Sequence, residues 1–482
     1  MARLFTSLPG FVLALLLAAC GGGGGDSSTT TLKCGNADCA LLNAPVATVF
    51  AQTANNVRVS VDDLGPHGFG NLGVSTNMLF ADVTVCTPGG LRTNPSECVT
   101  IDHVLVDTGS VGLRVLSSKA AKLNLSPVVD QVDAAKHVWE CFPFVIGGLW
   151  GPTVSADVWL GQQKTTVAVA VQLIDDQSAL APTADCNTVT DSTPQQSNIL
   201  ASAGQLGANG ILGIGSTTMD CGVYCESGSY HVRASDPAGS SALYYACPVG
   251  ASASSACNFT AVPNTFQVKN PVAALPGPYN NGVLLKMPAI PVNNPGAQTA
   301  KGELVLGIDA ANLPPATRQV FLGVLNPASD SYLSINTQFN GHTFANSYLD
   351  TGTNGMFFHD ASIAPCDNLT QAAASKVLSY WYCPASTLTG LSASLSDGDP
   401  SANPPVTVAF QIASYARLAL TNNTAFSDLG GAVNGSGPSN TYVADTKTFA
   451  WGMPFFYGKQ VYLSIWQQPG SLNGPWVAWS AL

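Results

Sequence analysis

Val106-Asp107-Thr108-Gly109-Ser110-Val111-Gly112-Leu113 returns later in the chain as Leu349-Asp350-Thr351-Gly352-Thr353-Asn354-Gly355-Met356, an offset of 243 residues (350 − 107). Gly210-Ile211-Leu212-Gly213-Ile214 and Phe449-Ala450-Trp451-Gly452-Met453 form a second pair, offset by 239 residues (452 − 213). Two matched landmarks at nearly one spacing imply two homologous lobes. Ahead of Asp107, Leu79 to Val85 and Val99 to Val106 alternate apolar and polar residues before ending in an apolar run. Ahead of Asp350, Tyr332 to Phe339, the turn Asn340-Gly341 and His342 to Leu349 read as a hairpin. Each aspartate is therefore expected where a buried strand ends in a turn.

The chain has 482 residues, too many for one ordinary core, so two domains behind a targeting segment are expected. Charged residues make up 10% and the formal net charge is −11, while Gly numbers 47 and Pro 31. Such a composition favours strands and turns over long solvated helices and argues against a nucleic-acid partner. Arg3, the apolar run Phe11 to Leu17 and Leu17-Ala18-Ala19-Cys20 read as a signal peptide, too short to span a bilayer. The sequence thus divides into a signal peptide (1–20), a flexible tether or propeptide (21–65), an N-terminal lobe (66–275) and a C-terminal lobe (276–482).

The Leu-Ala-Ala-Cys ending resembles the bacterial lipoprotein cleavage box, which implies lipidation of Cys20 and a membrane partner reached through that lipid. Gly21 directly after it resembles lipoproteins sent to the outer membrane, and Gly21 to Gly25 would serve as a flexible tether. Setting Cys20 aside leaves an even number of the 13 cysteines in an exported chain, so disulfides are expected. Short spacings suggest Cys34 with Cys39, Cys86 with Cys98, Cys247 with Cys257 and Cys366 with Cys383; Cys141 with Cys186 and Cys221 with Cys225 remain by elimination. The paired CxxC spacing of zinc sites is absent and the histidines are scattered, so no metal and no other cofactor are expected.

Asp-Thr-Gly-Ser, Asp-Thr-Gly-Thr and the apolar-apolar-Gly motif about a hundred residues after each resemble the pepsin-like aspartic peptidases. Gly302 to Asp309 resembles that family's inter-lobe segment, and Pro454 to Ile465 with Trp476 to Trp479 its closing strands, so the resemblance covers roughly residues 70 to 482. Several features also resemble an uncharacterised family of bacterial lipoproteins. The peptidase resemblance implies an all-β, bilobed fold of two pseudo-symmetric barrel lobes with a cleft between them, acting as a monomer on polypeptides. It further implies that Asp107 and Asp350 share one proton and activate a water. Thr108 and Thr351 would grip the opposite lobe's backbone, Gly109 and Gly352 would let the backbone approach closely, and Ser110 and Thr353 would hydrogen-bond the carboxylates.

Two departures from the family stand out. No Tyr lies between Asp107 and Tyr224 to serve as the flap tyrosine; Trp150-Gly151 is the flap candidate, its alternative being a core or surface tryptophan. Arg114 occupies the family's tryptophan position, either beside the first subsites or facing solvent. The sequence carries no Gly-x-Ser-x-Gly elbow, P-loop or His-Glu-x-x-His. A non-catalytic lobe pair that binds or structures an envelope component is the competing class. If Cys20 carries the lipid, Cys20→Ser releases the protein into the soluble fraction without acylation, as fractionation and mass spectrometry would read; membrane retention without acylation contradicts it.

Overall fold

The computed structural model describes residues 55–482 apart from 66–74, 145–146, 185, 187–198, 228–242, 292–294, 324–332, 367–380, 400, 402, 433, 437–441, 467 and 471–473. Before residue 55 it describes the strands Lys33–Cys34, Ala37–Asp38 and Val46–Ala47. The first two pair with each other in a small separate unit; the remainder, Leu42–Leu482, is one compact unit. Cys20 and the Cys34–Cys39 pairing lie outside the described residues.

Among the described residues the unit is all-β, its α-helices being single turns of four residues such as Ser117–Ala120 and Ala203–Leu206. One large sheet closes into a barrel. Within it Leu79–Cys86 pairs antiparallel with Cys98–Asp107, the strand that delivers the first aspartate. That strand buries only Cys98 and Ile101 among its first six residues and is buried continuously over Val104–Asp107, because Gly210–Ile214 joins it on its other side there. The change of pattern read in the sequence is thus the change from a half-covered to a fully covered strand.

Strand Asn56–Val61 pairs with Leu79–Cys86 on one side and with Ala300–Leu306 on the other. It lies within the stretch expected to be a tether or propeptide, which therefore contributes to the barrel. From Ala300–Leu306 the sheet continues through Gly282–Met287, Lys459–Ser464, Trp476–Ala481 and Arg318–Phe321. The segments read as inter-lobe and closing strands thus extend the sheet that holds Asp107, across the sequence boundary at residue 276.

The second sheet has seven strands in the order Val406–Ile412, Leu388–Ser396, Ile335–Phe339, His342–Leu349, Phe449–Trp451, Met356–Phe358 and Gly430–Gly431. Asn340 and Gly341, at φ 48° and 77°, make the two-residue turn between its central strands, as the Asn-Gly signal predicts. The core of this sheet is aromatic. Phe449 stacks on Phe358 at 4.4 Å and on Trp451 at 4.3 Å, with Phe339, Phe344 and Phe410 meeting it edge-on.

Among the described residues, five disulfides join the expected partners: Cys86–Cys98, Cys141–Cys186, Cys221–Cys225, Cys247–Cys257 and Cys366–Cys383. Three of them close segments whose ends strand pairing already holds together: Cys86 and Cys98 are cross-strand neighbours, and Cys247–Cys257 and Cys366–Cys383 lie beside the pairs Ala246 with Asn258 and Pro365 with Tyr382. Trp451 is fully buried and its indole N–H donates to Thr337 Oγ1 at 3.1 Å. Trp451→Ala should therefore cost about 3–5 kcal/mol in denaturant unfolding, since it opens a cavity under the strand beside Asp350 and leaves that hydroxyl without its donor; a loss below about 1 kcal/mol would contradict this packing role.

Candidate active site

The same local construction delivers both aspartates. Gly210–Ile214 runs parallel to the first aspartate's strand, with Gly213 opposite Asp107. Phe449–Trp451 runs parallel to the second, with Trp451 opposite Leu349 and its carbonyl accepting from Asp350 N at 3.0 Å. These are the two apolar-apolar-Gly motifs, so the sequence repeat is also a repeat of geometry. Each brace also grips its own turn: Gly215 N donates to Ser110 O at 2.8 Å, and Met453 N to Thr353 O at 2.8 Å.

The turns interlock through their threonines. Thr351 Oγ1 donates to Val106 O at 2.6 Å and accepts from Thr108 N at 3.2 Å. Thr108 Oγ1 donates to Leu349 O at 3.3 Å and accepts from Thr351 N at 3.0 Å. Both threonines are buried.

This exchange brings the two carboxylates together. Gly109 N donates to Asp107 Oδ1 at 2.8 Å and to Asp350 Oδ1 at 3.2 Å, so one N–H serves both acids. Gly352 N donates to Asp350 Oδ1 at 2.7 Å. A β-carbon on Gly109 would stand 2.6 Å from Asp350 Cγ, and one on Gly352 would stand 2.7 Å from Asp107 Oδ1. Any side chain at either position would push the acids apart. The outer oxygens accept from hydroxyls: Ser110 Oγ donates to Asp107 Oδ2, and Thr353 Oγ1 to Asp350 Oδ2 at 2.5 Å.

Asp107 is buried, and Asp350 keeps a partly open face. Loss of hydration, and then the neighbouring Asp107, push the Asp350 carboxyl well above the usual carboxylate range; the bonds from Thr353 and Gly352 pull the other way without cancelling the shift. Two acids this close, one of them inclined to keep its proton, form a donor and an acceptor side by side, and their titration belongs to the pair.

The flap candidate is placed elsewhere than expected. Trp150 and Gly151 lie inside strand Gly147–Leu160, paired with Cys141 and Glu140 of Lys136–Phe144. The hairpin turns between Phe144 and Gly147, not at Trp150. Trp150 is a core residue: its indole N–H donates to Leu180 O at 2.9 Å, and its ring packs on Trp139 and Tyr245. A β-carbon on Gly151 would lie 1.8 Å from Leu173 O, so this segment seats tightly on the strand behind it.

Arg114 is neither beside a subsite nor in solvent. It is fully buried and forks onto Glu140, with Nε to Oε2 at 3.1 Å and Nη2 to Oε1 at 2.6 Å. Tyr244–Pro248 adds a further strand to Lys136–Phe144.

Asn77 is a support that no motif announced. Buried at φ 52°, it donates from Nδ2 to Asn354 O at 2.8 Å and Phe426 O at 2.9 Å. Its Oδ1 accepts from Phe426 N at 2.8 Å and Tyr457 Oη at 2.9 Å. One side chain of the first half thus fixes the backbone just beyond Thr353. The only sequence signal is that Asn tolerates this left-handed conformation better than most residues.

A family model described as a protein of unknown function, DUF3443, matches residues 51–479. No curated protein matches the chain. Thr351→Val keeps the shape of the interlock but leaves Val106 O and Thr108 N without their buried partner. We expect a loss of about 2 kcal/mol or more in denaturant unfolding; an unchanged midpoint would show that the interlock contributes nothing to stability.

Proposed function

The chain belongs to this family of proteins of unknown function, and we propose that it is an aspartic endopeptidase with a bilobed, pepsin-like fold, Asp107 and Asp350 being its catalytic pair. The single observation that carries the reading is the N–H of Gly109 shared between Oδ1 of both acids, which puts two carboxylates in reach of one small molecule. The repeated strand–turn–brace construction around each acid supports the two-lobe assignment.

In this mechanism a water held between the acids loses a proton to the ionised carboxylate and attacks the scissile carbonyl. The protonated carboxyl, on the Asp350 side of the pair, donates to the carbonyl oxygen as charge gathers there. No acyl-enzyme forms, because the nucleophile is water. Collapse of the tetrahedral intermediate passes a proton to the leaving amine. Gly109 and Gly352 N–H groups and the two hydroxyls hold the carboxylates in place throughout, so little reorganisation is needed at the moment of reaction. The substrate is a polypeptide lying extended between the lobes, with the hairpin of Lys136–Phe144 and Gly147–Leu160 as its cover. A monomer held by a lipid on Cys20 at the outer membrane of a bacterial cell envelope is the setting this reading assigns.

The pH dependence follows from the sign of the Asp350 shift. The dyad works with one proton, so activity is lost at the upper limb when that proton leaves Asp350. Burial and Asp107 move this limb upward, and the Thr353 bond moves it downward. Thr353→Ala should therefore shift the upper limb to higher pH, whereas Asp107→Asn and Asp350→Asn should abolish cleavage throughout. The assay is pH-resolved digestion of an unfolded protein by the mature, disulfide-bonded domain, with a statine-type inhibitor as control. Cleavage that survives either Asn substitution overturns the mechanism, and absence of cleavage at every pH favours a binding lipoprotein.

A further inference from the structure

Behind the candidate dyad lies a second acid pair that the mechanism above does not use. Arg114 stands on Val111–Leu116, the strand leaving the Asp107 turn. Its Nη2 donates to Glu140 Oε1 at 2.6 Å and to Asp220 Oδ2 at 3.1 Å, and all three side chains are closed to solvent. Tyr244 Oη donates to Asp220 Oδ2 at 2.7 Å and accepts from Val268 N at 2.8 Å. Gln172 Nε2 donates to Glu140 O at 2.8 Å, and Arg114 Nη1 to Val111 O at 2.7 Å, while the Phe142 ring covers the guanidinium at 3.7 Å.

The titratable groups facing Asp220 thus come from three strands: Arg114, Glu140 of Lys136–Phe144, and Tyr244 of Tyr244–Pro248. With both acids ionised the cluster carries two negative charges against one positive in a dry site, a state that a single proton makes neutral. The cluster also has a mechanical meaning. Glu140 belongs to the first strand of the long hairpin and pairs through its backbone with Gly151 and with Tyr244. Asp220 belongs to the segment that follows the Gly210–Ile214 brace, and its own N–H donates to Val268 O at 3.2 Å. One guanidinium therefore ties the hairpin and the segment after the brace to the strand that emerges from the first aspartate.

We propose that Arg114, Glu140 and Asp220 form a proton-dependent latch that holds the hairpin against the catalytic framework in acid and frees it as the pH rises. In the closed latch Asp220 carries a proton and can donate to Glu140, and Arg114 balances the remaining negative charge. Loss of that proton to solvent leaves an uncompensated charge in the interior, relieved when the strand around Glu140 loosens from its neighbours and water enters, while Cys141–Cys186 keeps it attached. Burial, and then Glu140, hold the Asp220 carboxyl well above its usual range, as such a device needs. An acid bound more tightly to its proton when folded adds stability in acid and loses it as the pH climbs through the folded value. The three residues are positioning residues; in acting on cleavage they rest on the peptidase reading, in which this hairpin covers the substrate.

The test is hydrogen exchange of the amides in 136–144, corrected for intrinsic rates, on substrate-free protein from about pH 3 to about pH 8, spanning the ordinary carboxylate value. In the wild type, protection should be greatest in acid and, beyond a transition, fall roughly tenfold per pH unit, the slope of one proton. Asp220→Asn keeps the cluster neutral, so protection should persist to the top of the range. Glu140→Gln severs the hairpin's charged tie, so protection should be low at every pH. Should Asp220→Asn fail to fold, Tyr244→Phe removes a bond that favours the ionised acid and should move the transition upward. Equal protection at both ends of the range in the wild type overturns the latch, as does an Asp220→Asn or Tyr244→Phe profile that follows the wild type. Because exchange needs no substrate, a titrating latch in a protein that cleaves nothing would sink the peptidase reading alone. Cleavage with an untitrating hairpin would sink the latch alone.

Discussion

Each threonine hydroxyl of the paired turns donates to a carbonyl of the opposite segment and accepts an N–H from it, so neither turn can shift without unmaking bonds of the other. The glycines follow from this closeness, since a β-carbon at Gly109 or Gly352 would occupy the space of the opposite carboxylate. So do the braces. Gly210–Ile214 and Phe449–Trp451 run parallel beside the aspartate strands and hold each turn from behind, at positions where a bulkier residue would collide with the turn. The backbone scaffold thereby keeps the two acids side by side, and burial, and then the neighbouring Asp107, make Asp350 reluctant to ionise.

A chain with 10% charged residues places several of its charges inside. Arg114, Glu140 and Asp220 are closed to solvent, and Glu303, also buried, pairs with Lys286 at 3.0 Å between adjacent strands. Buried pairs of this kind add little net stability over an apolar packing, but breaking one leaves a charge that the interior cannot solvate. Their effect is to fix which strand lies against which. Around the hairpin that selection is made by one guanidinium and two acids.

Contacts distant in sequence do the same work with neutral groups. Asn77 takes both backbone atoms of Phe426, the carbonyl of Asn354 and the hydroxyl of Tyr457, and so does for these segments what a strand neighbour would. The disulfides act over shorter spans, mostly between segments already side by side, and therefore stiffen the arrangement more than they choose it. Cys141–Cys186 is the exception in span: it pins the hairpin strand to the segment around Leu180, whose carbonyl also receives the Trp150 indole.

Features that repeat or act locally are legible along the chain. The doubled Asp-Thr-Gly turns, the strands that precede them, the Asn340-Gly341 turn and the pairings Cys86–Cys98, Cys247–Cys257 and Cys366–Cys383 are written in periodicity, turn chemistry and short spacing, and each is found where those signals put it, whereas Cys141–Cys186 and Cys221–Cys225 follow only by elimination. That the two turns meet was implied by the repeat; that they meet through four threonine hydrogen bonds, and that the Gly109 N–H then serves both acids, is visible only in three dimensions. The tertiary structure alone decided the fate of Trp150, Arg114 and Asn77. Trp150-Gly151 has the composition of a turn and lies within a strand because Leu173 and Leu180 wait behind it. Arg114 follows the pattern of an exposed or substrate-facing charge and is buried because Glu140 and Asp220, 26 and 106 residues away, converge on it. Periodicity and turn chemistry are properties of neighbours along the chain, whereas the partner of a buried charge or amide is set by which distant segments fold against it, and no local pattern encodes that choice.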